Sequence, residues 1–253
     1  MIQLQALQSG IVDHCNNRCN RCSQLAPIRR AQIMGPDELW ADLETLTKIA
    51  HAPIFHFVGG EPLLHPNIVG MIKIAKQSGI ADRVSIYTNG KLILSMPPEF
   101  WTSGLDQLHI SIYPNTNMGT VGYAEMKCKL NGIEFEAWPQ PGFYSVRKMG
   151  GLTYNQACQN FKGCPWRWGC NAVRYGYFFL CSHSALLSST LMGLEEESQG
   201  IKIEGLTEEC LSDFLHRERP LTACSICWNH YEQYPWSESR DMNDWLKNSF
   251  SSK

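Results

Sequence analysis

Residues 9–22 read Ser-Gly-Ile-Val-Asp-His-Cys-Asn-Asn-Arg-Cys-Asn-Arg-Cys, and this stretch decides how the whole chain is read. Its first half belongs to a short β-branched run, 5–13, with strand character. Its second half places Cys15, Cys19 and Cys22 in a C-x3-C-x2-C spacing directly after that strand. Three thiolates this close in sequence reach three corners of a cubane iron–sulfur cluster and leave one iron without a protein ligand. An open metal position accepts a substrate or cofactor, whereas four protein ligands close the site. Zinc with a distant fourth ligand is the alternative at this point, although zinc sites more often begin from C-x2-C pairs.

Outward from that loop, further strands are predicted at 54–58, 83–88, 107–113 and 133–138, each short and rich in β-branched or aromatic residues. Helical patterns at 36–50, 66–78 and 121–130 lie between them. Pro36 and the acidic residues behind it open the first helix, and Gly79 stops the second. Repeated β-then-α units predict parallel strands joined by crossovers. Five such strands are too few for a closed eight-stranded barrel. The expected fold is α/β, a partial parallel barrel or open sheet, with the active site at the C-terminal ends of the strands. From about residue 150 the pattern changes. Cys, Trp, Gly and Tyr become dense, and only a hairpin at 173–182 and a helix at 207–218 can be placed. Residues 1–150 are therefore expected to form the partial barrel. Residues 151–253 are expected to form a small region with little core of its own, stapled by metal.

Composition narrows the function. The 253 residues are 43% hydrophobic and carry a net charge of -2, which argues against a nucleic-acid surface or an anionic-membrane anchor. The first residues lack the basic and apolar segments of a secretory signal, so a cytoplasmic protein is expected. The 11 cysteines, an odd number, fit thiolate ligands in a reducing compartment better than a disulfide scaffold. Cys128 stands apart from both cysteine groups and reads as a packing residue.

Three strand ends add polar signals. The second strand ends in Val58-Gly59-Gly60-Glu61-Pro62, where glycines allow close backbone approach and a carboxylate can accept from a cationic amine. The third ends in Tyr87-Thr88-Asn89-Gly90, and the fourth carries Ser111. Each alone is compatible with an ordinary turn. Jointly with the cysteines they resemble the radical S-adenosylmethionine (SAM) superfamily over roughly residues 8–140. That resemblance implies a [4Fe-4S] cluster on Cys15, Cys19 and Cys22 whose open iron binds SAM, which is cleaved to a 5′-deoxyadenosyl radical. It implies that Gly59, Gly60 and Glu61 hold the amino group of SAM, and that Thr88, Asn89 and Ser111 lie near its ribose or carboxylate. Arg21 departs from the family, where an aromatic residue often precedes the third cysteine.

The C-terminal cysteines resemble the twitch extension, the short form of the SPASM domain, which carries an auxiliary [4Fe-4S] cluster. The resemblance assigns Cys181, in a G-x4-C unit, and Cys224 with Cys227, in a C-x2-C pair. The upstream ligand is Cys164 or Cys170, and the family's longer gap before Gly176 favours Cys164. A zinc site on the same four thiolates is the alternative.

In length and cysteine spacing the chain is similar to twitch-bearing aminocyclitol dehydrogenases. This implies oxidation of a secondary alcohol on a small polar substrate, a sugar or aminocyclitol. An external one-electron reductant such as flavodoxin or ferredoxin would be the partner. Arg147, between the last strand and the first auxiliary ligand, is expected to orient the substrate hydroxyl, because a guanidinium is always charged and cannot serve as a simple base. The runner-up is epimerisation, with Cys170 as hydrogen-atom donor. Peptide modification and a zinc-stapled binding protein complete the alternatives.

Overall fold

The computed structural model describes residues 1–144, 151–227 and 233–250. The chain opens with β1 (Ile2–Gln3) and β2 (Leu7–Val12), followed by α1 (Pro36–Leu46) and β3 (Ala50–Gly59). Then come α2 (Ile68–Ser78), β4 (Ala81–Thr88), β5 (Gln107–Ile112), α3 (Met118–Asn131) and β6 (Glu134–Pro139). Apart from the two-residue β1, which was not anticipated, the strands and helices of this half fall within a few residues of the sequence expectation. Local chemistry explains the helix boundaries. The Glu38 carboxylate accepts from the Gly35 N–H at 2.6 Å ahead of α1, and Asn67 caps α2 by accepting from Gly70 N–H at 3.1 Å. Gly79 ends α2 at φ 71°, a left-handed position that costs glycine nothing.

The second half contributes β7 (Gly142–Tyr144), α4 (Tyr154–Lys162), α5 (Trp166–Gly169), β8 (Asn171–Arg174), β9 (Tyr177–Phe179), α6 (Ser182–Leu191), β10 (Gly200–Lys202), α7 (Glu208–Leu215), β11 (Gln233–Pro235) and α8 (Met242–Phe250). The expected hairpin is β8–β9, and the expected helix is α7. Helices α4, α5, α6 and α8 were not anticipated: α5 is only four residues long and α6 has little amphipathic character, whereas α4 and α8 are amphipathic but lie in the cysteine- and aromatic-rich half where no helix besides α7 was placed.

Among the described residues the main sheet runs β10-β9-β8-β2-β3-β4-β5-β6, with β1 beside β3. Strands β2 to β6 and the β2–β8 pair are parallel, while β8–β9 and β9–β10 are antiparallel. This is the parallel-dominated sheet of a partial barrel. The pairing Leu7↔Asn171 and Gln8↔Ala172 attaches the cysteine-rich half directly to the first strand. Its residues Val173, Phe178, Leu180, Leu211 and Leu215 join the main core, so this half shares the barrel's core. Only small clusters, such as Leu25 with Leu186, Leu187, Ala223 and Trp245, lie apart.

Strand alternation divides the sheet into two faces. Phe55, Phe57, Val84, Ile86, Leu108 and Ile110 are fully buried in the core shared with Leu39, Leu43, Met71 and Ile72 of α1 and α2. Burying each large apolar side chain contributes roughly 1.5–3 kcal/mol. The residues between them, His56, Ser85, Tyr87, His109 and Ser111, occupy the other face, which is polar. Parallel sheets are usually apolar on both faces, so a polar concave face marks the side where chemistry is done.

A buried charge network joins the two halves. Asp13 Oδ2 accepts from Arg174 Nη2 at 2.7 Å and from Arg29 Nη2 at 3.0 Å, and Glu196 pairs with both arginines. Arg174 on β8 thereby fixes the backbone two residues ahead of Cys15. A second carboxylate, Asp42 on α1, is buried and accepts from the Gly176 N–H at 2.8 Å. Burial pushes its carboxyl up to about 7, above its ordinary value. The folded state then holds a proton that the unfolded chain releases, so stability falls as pH rises from about 4 to 7. Asn keeps the acceptor and removes the charge. Asp42→Asn is expected to gain roughly 1–3 kcal/mol at pH 8 and little at pH 4. Urea denaturation at the two pH values checks this, and an equal effect at both would contradict it.

Candidate functional site

The ends of β2, β3, β4 and β5 converge on a cavity of about 210 Å³. Cys15, Cys19, Cys22, Gly59, Gly60, Glu61, Thr88, Asn89 and Ser111 all line it, so the structure brings together every residue predicted for the first site. The glycines are demanded by the neighbouring strand. A Cβ on Gly60 would meet His14 O at 2.0 Å, and Gly59 has φ 129° with Val12 O at 2.4 Å from the same ideal position. Gly60 and Glu61 donate backbone N–H bonds to Val12 O and His14 O at 2.7 and 3.0 Å. These bonds lock the turn after β3 against the start of the cysteine loop.

Glu61 is 1% exposed and ties β3 to β4. Its carboxylate accepts from Thr88 Oγ1 at 2.6 Å, Asn89 N at 2.9 Å and Leu63 N at 3.0 Å. A carboxylate offers about four lone-pair positions, so one remains for a ligand amine. Asn89 Nδ2 donates to Asn16 Oδ1 at 2.7 Å and approaches Cys15 Sγ at 3.5 Å, which orients the cysteine loop from β4.

Two observations fit this cavity to an iron–sulfur cluster and a polar cofactor. Asn17, 4% exposed, lines it, and among the described residues neither of its side-chain polar atoms has a partner, as a side chain awaiting a ligand would. Burial also pushes the Cys15 and Cys19 thiols up to about 12, so thiolates here need a compensating cation, which iron provides.

The C-terminal cysteines separate into two places. Cys164, Cys181, Cys224 and Cys227 line one small space of about 30 Å³ with Trp166 and Arg167. The crowding of Cys227, Cys224 and Cys164 around Cys181 adds to burial in pushing its thiol up. The Arg167 guanidinium, fixed by bonds to Leu215 O at 2.9 Å and Arg217 O at 3.0 Å, supplies positive charge beside these four sulfurs. Cys170 does not line this space. Among the described residues no three His, Cys, Asp or Glu side chains converge on one point as a single metal ion requires.

Residues 10–113 match the family model described as the Radical SAM superfamily. The chain carries a radical SAM domain. Several curated relatives match locally. A GTP 3',8-cyclase of Microcystis aeruginosa is 32% identical over 121 residues, which are 44% of this chain and 35% of the relative. A GTP 3',8-cyclase of Crocosphaera subtropica is 30% identical over 134 residues, 49% of this chain and 39% of the relative. The chain spans little more than a third of these relatives' length. The crystal structure of BtrN in complex with AdoMet and 2-DOIA superposes with a TM-score of 0.51 at 14% identity, covering 85% of this chain and 82% of that one. That likeness gives the fold and extends it across both halves.

A third cavity, of about 470 Å³, lies between the radical SAM site and the second cysteine set. It shares Val58, Tyr87 and Phe143 with the first and Trp166 and His183 with the second. His56, Gln8 and Cys170 also line it. Ser85 Oγ engages His56 Nδ1, and the Tyr87 ring stacks on His109 at 4.1 Å, with His109 Nδ1 in turn 2.9 Å from Glu136 Oε2. Burial, with His109 and Arg83 nearby, pushes His56 down to about 4, so its ring is neutral at physiological pH. The Cys170 thiol is pushed up by burial to about 11.

Arg147 lies outside the described residues. His56 and Tyr87 were missed, although their alternation with Phe55, Phe57 and Ile86 was a readable signal. A larger cavity of about 550 Å³, lined by Glu38, Arg174 and Glu196, contains none of the predicted site residues. No described helix is long and apolar enough to cross a membrane.

Proposed function

We propose that this radical SAM protein oxidises a secondary alcohol of a small polar substrate, a sugar or aminocyclitol, in the cavity between its two cysteine sites. The observation that carries the reading is the position of that cavity. It shares Val58, Tyr87 and Phe143 with the first cysteine cavity, and Trp166 and His183 with the space lined by the four C-terminal thiols. When bound, SAM and the first cluster supply a hydrogen-abstracting 5′-deoxyadenosyl radical, and a second [4Fe-4S] cluster on Cys164, Cys181, Cys224 and Cys227 supplies a one-electron acceptor.

The chain's residues provide the rest. Oxidising CH–OH to C=O removes a hydrogen atom from carbon, a proton from oxygen and one electron. His56 is the candidate to take the proton: its ring is neutral, and in the tautomer whose Nδ1–H donates to Ser85 Oγ the Nε2 lone pair accepts, although burial makes it a weaker base than a free imidazole. Gln8, Tyr87 and His183 offer hydrogen-bonding groups to a polyhydroxylated molecule, while Phe143 and Trp166 form apolar walls. An external one-electron reductant such as flavodoxin or ferredoxin would start each turnover.

Cys170 favours a second reading. Its thiol lines the same cavity, and burial keeps the S–H protonated, as a hydrogen-atom donor in an epimerase requires. Reduced, reconstituted protein incubated with SAM and a panel of aminocyclitols and sugars in deuterium oxide separates the two. The lead reading expects a product lighter by two hydrogens, without solvent deuterium on carbon. Deuterium fixed at a substrate carbon, and lost in Cys170→Ala, would instead identify an epimerase.

A further inference from the structure

Residues 233–239 form a strap that crosses the first cysteine loop from more than 200 positions away in sequence. Strand β11 pairs antiparallel with β7, which places the strap beside Phe143. From there Asn20 N–H donates to Ser237 O at 2.9 Å, Asn20 Nδ2 to Ser237 Oγ at 2.8 Å, and Ser239 N–H to Arg18 O at 2.6 Å. The Arg21 guanidinium lies 3.5 Å over the Tyr234 ring. At the centre of these contacts the indole Nε1–H of Trp236 donates to Cys19 Sγ at 3.2 Å.

We propose that Trp236 is a positioning residue of the first cluster, its N–H donating to the Cys19 thiolate and setting the reduction potential of the iron it ligates. This rests on the assignment of a cluster to Cys15, Cys19 and Cys22. Indole nitrogen is a donor only, so the contact has one possible sense. A ligating thiolate gains negative charge when its cluster is reduced, and a donor stabilises that state more than the oxidised one. The potential is therefore raised and reduction by a weak donor is eased. Cys19 is 5% exposed, so bulk water does not readily replace the indole. The ring is held by Tyr113, at 6.2 Å between centroids, which itself stacks on Phe143 at 6.0 Å. Cys15 receives its own N–H groups from Asn17 and Asn89, which belong to the cysteine loop and the SAM strand ends. Trp236 stands outside both, so its contribution can be removed separately.

Trp236→Phe keeps an aromatic ring against Tyr113 and removes the N–H. Trp236→His restores a ring N–H. Both would be reconstituted as the full two-cluster protein and titrated potentiometrically with electron paramagnetic resonance detection. Trp236→Phe is expected to move the first cluster's reduction equilibrium about tenfold toward the oxidised form, about 59 mV lower for one electron. The second cluster should not move, and Trp236→His should recover part of the shift. An unchanged first-cluster potential in Trp236→Phe, or an equal shift in both clusters, would overturn the proposal. Loss of the first cluster in Phe with retention in His supports it, and loss in both refutes the N–H as the operative group. A wild-type chain that binds no four-iron cluster at Cys15, Cys19 and Cys22 overturns the cluster assignment, and this inference with it.

Discussion

Replacing Cys15, Cys19 and Cys22 together by Ala is expected to abolish SAM cleavage while leaving the fold and about half of the bound iron. The three thiols face one cavity at the ends of β2 to β5, and no fourth described cysteine lines it. The hydrophobic core lies on the opposite face of the sheet, so the substitutions remove a ligand wall and little packing. Wild-type protein reconstituted anaerobically should hold about eight irons, and the triple variant about four, one cubane on Cys164, Cys181, Cys224 and Cys227. Chromatography of 5′-deoxyadenosine after reduction reads the activity, and iron analysis with circular dichroism reads the rest. Undiminished 5′-deoxyadenosine in the triple variant would sink the assignment. Four irons with one zinc in the wild type would leave the oxidation without its electron acceptor and favour a structural role for the second site.

His56→Gln carries the second large effect, an expected fall of roughly 10²–10⁴-fold in ketone formation. Gln preserves a hydrogen-bonding group beside Ser85 and Tyr87 but has no basic ring nitrogen to accept the hydroxyl proton. Radical formation depends on the other cavity, so 5′-deoxyadenosine should still accumulate, and its ratio to ketone should rise. Cys170→Ala, on the same cavity wall, should retain both clusters and most oxidation under the dehydrogenase reading. A ketone yield in His56→Gln equal to wild type, with the same ratio, would show that another group accepts the proton.

The first cysteine site was legible because its signals are local. Cys15, Cys19 and Cys22 lie within one loop, and Glu61, Asn89 and Ser111 each follow or end a strand of the same parallel array. Consecutive parallel strands must place their C-terminal ends side by side, so residues far apart in sequence were predictable neighbours. The glycines of the Gly59-Gly60 turn were legible as a close approach, but their partner is the backbone of Val12 and His14.

Sequence alone determined the β/α alternation, the loop that carries the first thiols and the spacing of Cys181, Cys224 and Cys227. These follow from short-range periodicity and spacing. Tertiary structure decided what depends on long-range pairing. The β2–β8 register attached the cysteine-rich half to the barrel and gave it a common core. The same packing sent Cys164 to the auxiliary thiols and Cys170 to the central cavity, a choice that gap lengths could only favour. It also turned His56 and Tyr87 inward and laid Trp236 on Cys19 across 217 positions. No local pattern encodes a side chain's partner at that separation, because it is fixed only when the burial of one face of the sheet leaves the other to meet the returning chain.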